Sequence, residues 1–129
     1  MKTVLALGCF DFLHPGHIYH LEWARRQGDK LMVAVTADSK VNKGPGRPHF
    51  TWAQRVWMLE QLRCVDEVVK NVEAWESIMF VQPQIYVKGP DYVGKLTPEE
   101  IHACTKIGAV ILHSPTPQYS STRILEALK

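Results

Sequence analysis

Short, nearly continuous apolar runs alternating with helical patterns constrain this chain more than any other feature. Thr3 to Leu7, Leu31 to Val35, Ile85 to Val87 and Ala109 to Leu112 place apolar residues at consecutive positions, where a strand with one wet face would alternate. Such strands need cover on both faces. A further strand is expected at Val65 to Lys70. Between the strands, Ile18, Leu21 and Ala24 repeat at helical spacing from about Gly16, with Arg25 and Arg26 in the last turn and Gly28 as the expected C-cap. Thr51-Trp52-Ala53-Gln54 has the form of a capping box opening a helix to about Leu62, and Glu73 to Val81 reads as a short helix stopped by Gln82-Pro83. Thr97-Pro98-Glu99-Glu100 is a second capping box with proline at the first helical position, and Ser120-Ser121-Thr122 can open a last helix through Leu128. Strands and helices alternating in this way predict an α/β chain with a five-stranded parallel sheet, order 3-2-1-4-5, in a three-layer α/β/α arrangement.

Composition narrows the function classes. At 129 residues the chain is expected to be one domain, and a chain of this size buries roughly two-thirds of its unfolded surface. A net charge of +2 with 22% charged residues excludes a basic field of the kind that grips nucleic acid. Cys9, Cys64 and Cys104 are odd in number and too far apart for zinc or redox spacings, which suits a reducing cytoplasm. The run at Met1 to Leu7 is too short for a signal peptide's apolar region, and no stretch approaches a membrane span, so no membrane partner is expected.

In an open α/β sheet, ligands sit beyond the carboxyl ends of the strands where strand order reverses. The residues that do not look structural fall there: Gly8 to His17 after the first strand, Ala37 to Arg47 after the second, Lys88 to Tyr92 after the fourth and Ser114 to Thr122 after the fifth. Their chemistry is that of phosphate binding. A glycine lets backbone approach a ligand, and a helix start offers free N–H groups and a positive dipole end. Ser120, Ser121 and Thr122 add hydroxyls, and Lys43, Lys88, Arg55 and Arg123 add charge, although a capping serine or a solvated cation explains any one of them equally well. Pro15-Gly16 holds His14 and His17 near the positive end of the first helix, whereas His20, His49, His102 and His113 read as structural. A zinc site from His14, His17 and His20 is disfavoured, because each three-residue step turns the side chain about 60° round the helix.

The stretch Gly8-Cys9-Phe10-Asp11-Phe12-Leu13-His14-Pro15-Gly16-His17, together with Ser120-Ser121-Thr122, resembles the first loop and the C-terminal Ser-Thr-Thr signature of the His-x-Gly-His, cytidylyltransferase-like nucleotidyltransferases. Arg47-Pro48, Gln54-Arg55, Val65-Asp66 and Val87-Lys88-Gly89-Pro90-Asp91-Tyr92 are similar to the adenylyltransferase domain of bacterial ADP-heptose synthases, and the likeness runs over essentially the whole chain, 1–129. Glycerol-3-phosphate cytidylyltransferases share the first loop but carry an Arg-Thr-Glu-Gly-Ile stretch where this chain has Pro115-Thr116-Pro117-Gln118-Tyr119. Archaeal-type FMN adenylyltransferases share the motif as well. A nucleotide-binding module without catalysis is the reading from a different class.

The resemblance implies a Rossmann-like fold and transfer of AMP from ATP to a sugar phosphate, heptose 1-phosphate, with release of pyrophosphate and with Mg²⁺ as cofactor. It implies catalytic roles for His14, His17, Lys43 and Arg123. It assigns nucleotide binding to Gly8, Cys9, Phe10, Gly16, Lys88, Gly89, Asp91, Tyr92, Ser120, Ser121 and Thr122. Asp11 and Arg55 are expected to bind the acceptor, with Asp11 also the candidate metal ligand. The partners so implied are a nucleoside triphosphate, a phosphorylated small-molecule acceptor and a second copy of the chain in a homodimer.

Overall fold

The structure, a computed structural model, describes residues 1–115. It runs β1 (Thr3–Gly8), α1 (Pro15–Arg26), β2 (Lys30–Thr36), α2 (Trp52–Glu60), β3 (Glu67–Asn71), α3 (Ala74–Val81), β4 (Ile85–Lys88), α4 (Pro98–Ile107) and β5 (Val110–His113), with short 3-10 turns at Asp38–Lys40 and Pro90–Tyr92. The sheet has the expected order, β3-β2-β1-β4-β5, and all of its pairings are parallel. The last helix expected from Ser120 onward lies outside the described residues.

Consecutive apolar residues in the central strands feed two cores. Val4 and Ala6 of β1, with Leu31, Val33, Val35 and Val87, pack against Leu21 and Ala24 of α1 and Leu59 of α2. Leu5, Met32, Ala34 and Tyr86 face the other way, onto Ile78 of α3 and Ala103 and Cys104 of α4. Each strand therefore buries both sets of side chains, which is why its sequence does not alternate. Among the described residues no helix is long and apolar enough to cross a membrane.

The helix boundaries follow local chemistry, with three departures from the sequence expectation. Thr51 and Gln54 form the full capping box at α2, each side chain bonded to the other's backbone N–H. At α4 only half of a box forms: Thr97 Oγ1 accepts from the Glu100 N–H, while the Glu100 carboxylate turns inward and accepts from Tyr86 Oη at 3.2 Å. Gln27, not Gly28, caps α1. Gly28 is required for close approach instead, since a Cβ there would stand 2.7 Å from both the Lys2 carbonyl and Val4 Cγ2. The third departure is that α2 ends at Glu60 and β3 begins at Glu67, because the chain between them turns, with the Val65 N–H bonded to the Leu62 carbonyl.

Parallel strands bring all their carboxyl ends to one edge. Gly8 and Lys88 therefore end on the same side, with β1 the strand from which the chain passes first to β2 and later to β4. The crevice at this reversal is where the loops converge.

Candidate active site

The first loop is braced before it is functional. Phe10 takes φ of 53°, and its ring folds back over Gly8, so that a Cβ on Gly8 would meet Phe10 Cε2 at 3.0 Å. Gly8 thus makes room for Phe10, rather than for a ligand as the sequence suggests. Phe10 is buried and meets the His17 ring edge-on, 5.3 Å between centroids.

Asp11 and Arg55 are placed differently from the sequence expectation. Asp11 is buried, and its Oδ2 accepts from Arg47 Nε at 2.7 Å and the His49 N–H at 2.8 Å, while Oδ1 accepts from the Phe50 N–H at 2.9 Å. Burial pushes its pKa up, but the Phe50 and His49 amides and the Arg47 guanidinium more than reverse that and hold the carboxylate below its usual range. Three donors make the carboxylate an anchor between the first loop and the Arg47 to Phe50 segment. Arg55 is 0% exposed, and its guanidinium donates to the Cys9 carbonyl at 2.8 Å, the Phe50 carbonyl at 3.1 Å and Asp38 Oδ1 at 2.7 Å. It clamps three loop segments, and its donors point into the protein. The Cys9 carbonyl accepts from this clamp, which fixes the backbone of a residue expected to bind the nucleotide. What sequence reasoning missed is that a polar pair following an apolar strand can be spent on holding the loop in shape.

The two motif histidines stand at the start of α1. His14 is the N-cap, with its Nδ1 facing the His17 N–H at 3.4 Å, and Pro15 and the buried Gly16 open the helix. The two imidazoles stack, 3.7 Å between centroids and 19° between planes. Burial and then the Lys43 charge lower the pKa of His14. Burial, followed by the charges of His14, Lys43 and His20, brings His17 down to about 3. Both rings are therefore neutral near pH 7. Lys43 is exposed, and Gly44 and Gly46 after it have φ of 96° and 75°, a left-handed turn that glycine adopts without steric cost.

The opposite wall of the crevice comes from β4 and β5. Lys88 is 7% exposed, with Nζ 4.1 Å from the centroid of the Tyr92 ring, above a buried layer in which Tyr86 bonds Glu100. Burial lowers the Lys88 pKa, opposed by the Glu100 and Asp91 charges. The Asp91 carboxylate folds over Gly89, where a Cβ would lie 2.8 Å from Oδ1. Ser114 donates its N–H to the Lys88 carbonyl at 2.9 Å, and its Oγ shares a 2.7 Å hydrogen bond with His20 Nδ1. Burial, then the Lys88 charge, brings His20 down to about 4. His20, read as structural from its sequence position, thus belongs to the crevice. The available signal was its place three residues after His17, turned about 60° round α1 toward β4.

Of the expected residues, the structure brings His14 and His17 together at the start of α1, within reach of the Lys43 charge, and groups Lys88, Gly89, Asp91 and Tyr92 at the end of β4. His20 lies between the two walls, near enough to His17 to help lower its pKa and near enough to Lys88 to have its own lowered. Asp11 and Arg55 lie behind the loops as braces. Ser120, Ser121, Thr122 and Arg123 lie outside the described residues.

Comparison with known proteins bears on this arrangement. A family model described as cytidylyltransferase-like matches residues 5–127. The bifunctional protein HldE of Hydrogenovibrio crunogenus is 40% identical over 99% of this chain, and that of Methylococcus capsulatus is 39% identical over the same share. The chain spans 28% of the length of each of these relatives. A crystal structure of the lipopolysaccharide core biosynthesis protein from Thermoplasma volcanium superposes with a TM-score of 0.75 at 28% identity, covering 93% of this chain and 99% of that one. Pantothenate synthetase from Thermus thermophilus, at 18% identity and a TM-score of 0.66 over 97% of this chain and 61% of that one, shares the fold.

Proposed function

The chain belongs to the cytidylyltransferase-like family and is a nucleotidyltransferase, and we propose that it moves AMP from ATP onto heptose 1-phosphate, releasing pyrophosphate. The observation that carries this reading is the pair of stacked, neutral imidazoles at the start of α1, close enough to Lys43 to feel its charge. The choice of a sugar phosphate is supported by the likeness to HldE and to the lipopolysaccharide core protein, and by the Lys88-Gly89-Pro90-Asp91-Tyr92 stretch. The chain matches 28% of a bifunctional relative, and on this proposal that stretch is the one that performs nucleotidyl transfer.

In the proposed reaction a phosphate oxygen of the acceptor forms a bond to the α-phosphorus as the bond from that phosphorus to the bridging oxygen of pyrophosphate breaks. The acceptor phosphate is mostly dianionic at pH 7, its second pKa being about 6, so no general base is needed. Catalysis is then a matter of alignment and charge. Neutral His14 and His17 have N–H groups to donate to phosphoryl oxygens, the N-terminus of α1 adds its positive end, and Lys43 offsets charge gathering on the departing phosphates. The wall of Lys88 to Tyr92 takes the nucleoside end.

Among the described residues no three His, Cys, Asp or Glu side chains are grouped to hold a metal, and Asp11 is occupied by three donors. That donor set fits Mg²⁺ carried mainly on substrate phosphate oxygens, which is how this ion commonly binds, and there it would neutralise triphosphate charge.

The test is a pyrophosphate-release matrix of four nucleoside triphosphates against heptose 1-phosphate, glycerol 3-phosphate and FMN. ATP with heptose 1-phosphate should turn over fastest. Turnover confined to CTP with glycerol 3-phosphate would overturn the adenylyl assignment, and release in no pair would reject all three acceptors.

A further inference from the structure

The crevice has two walls on different parts of the fold, and the transfer proposed above needs them at a fixed separation. One wall is the start of α1, with His14 and His17; the other is the end of β4 and β5, with Lys88, Asp91 and Tyr92. Helix α1 packs mainly over β1 and β2, on the far side of the reversal from β5. The His20–Ser114 hydrogen bond, at 2.7 Å, crosses that gap. Both of its ends are anchored. His20 lies one turn beyond His17 on a continuous helix, and Ser114, 1% exposed, is bonded through its own N–H to the Lys88 carbonyl.

We propose that His20 and Ser114 form the floor of the crevice and set its width, so that His20 is a positioning residue for nucleotidyl transfer, acting through His17 on one side and Lys88 on the other. This rests on the function proposed above and deepens it. Burial and the nearby Lys88 charge hold His20 neutral, and its Nδ1 can pair with the Ser114 hydroxyl in either sense. A shift on the order of 1 Å between reacting groups can lower a rate by about a hundredfold, so a strut at this place has the leverage to govern turnover without touching substrate.

The geometry specifies which nitrogen matters. An asparagine amide lies where Nδ1 of histidine lies, whereas a glutamine amide lies where Nε2 does. His20→Ala and Ser114→Ala should each lower kcat about ten- to a hundredfold, raise the triphosphate KM by a smaller factor, and combine non-additively in the double variant. His20→Asn should recover most of the loss, and His20→Gln should not. Recovery by glutamine but not asparagine would overturn the proposal, because His20 would then act through Nε2. So would unchanged kcat and KM in a folded His20→Ala, or effects of the two alanine variants that simply add.

Calorimetric titration with ATP separates this proposal from the function it rests on. If the wild-type chain binds ATP but transfers to none of the acceptors, the assigned reaction fails. His20 is then judged on binding alone, where His20→Ala should weaken ATP about tenfold and asparagine should restore it. Equal ATP affinity in wild type and His20→Ala would reject the strut. Thermal melts of each variant exclude loss of fold as the cause.

Discussion

Replacing Arg55 with leucine tests most directly whether the loops around the crevice are held as the structure shows. The guanidinium is fully buried and serves Cys9, Phe50 and Asp38 at once. Asp38 is half exposed, so its freed carboxylate returns to water at a cost of about 0–1 kcal/mol. The Cys9 and Phe50 carbonyls have no such route, and each buried acceptor left without its donor costs about 1–3 kcal/mol. Leucine refills much of the volume, so the net loss should be about 3–5 kcal/mol, against a typical total stability of about 5–15 kcal/mol. In a chain of this length that is a fall in Tm of about 10 °C or more. Arg55→Lys should recover only part of it, since one ammonium cannot reproduce a planar fork aimed in three directions. Urea midpoints and thermal melts give the stability, and kcat and acceptor KM are measured at a temperature where the variant stays folded. If both midpoints hold steady while acceptor KM rises tenfold, Arg55 contacts the acceptor and the clamp is wrong.

Asp11→Asn exchanges one acceptor oxygen for an amide facing N–H donors, and should cost about 1–3 kcal/mol while leaving the Mg²⁺ requirement unchanged. A tenfold shift in the Mg²⁺ needed for half-maximal rate, at full stability, would return Asp11 to the metal. His17→Ala should lower kcat by about a hundredfold or more, the scale of losing one transition-state donor, and near-normal turnover would end its catalytic role. Lys43→Ala, at an exposed position, should raise the triphosphate KM with little change in urea midpoint; a change confined to acceptor KM would make Lys43 an acceptor residue. Acid should destabilise the fold well above the carboxylate range. His17 and His20 have native pKa values of about 3 and about 4 against 6.5 for the free side chain, so between these limits the unfolded chain binds protons that the native chain refuses. Stability should be complete above pH 6.5 and fall by about 1.4 kcal/mol per pH unit for each histidine as pH drops below it. A urea midpoint flat from pH 6.5 to 5 would show that these imidazoles are not held neutral.

Much of the sheet was legible because strand burial is written locally. Val4, Leu5 and Ala6 are apolar in succession, and in the structure they divide between the two cores. The capping box at Thr51 was likewise readable from neighbours a few residues apart. Gly28 was not, since its need for a missing Cβ comes from Lys2, just before β1, and Val4 within it, both preceding the whole of α1.

The same division runs through the crevice. By itself the sequence determined the parallel sheet, the placing of His14 and His17 at a helix start and the arrival of Lys88 to Tyr92 at the same sheet edge, because each follows from local pattern and the rule that parallel strands share their ends. Tertiary structure alone decided which polar groups face the crevice and which hold it up. Asp11 and Arg55 act as braces through partners that spacing does not reveal: Arg47, 36 residues from Asp11, and Cys9, 46 residues from Arg55. His20 became part of the crevice because Ser114, 94 residues on, folds against it. A side chain's chemistry is local, but its partner is chosen by packing.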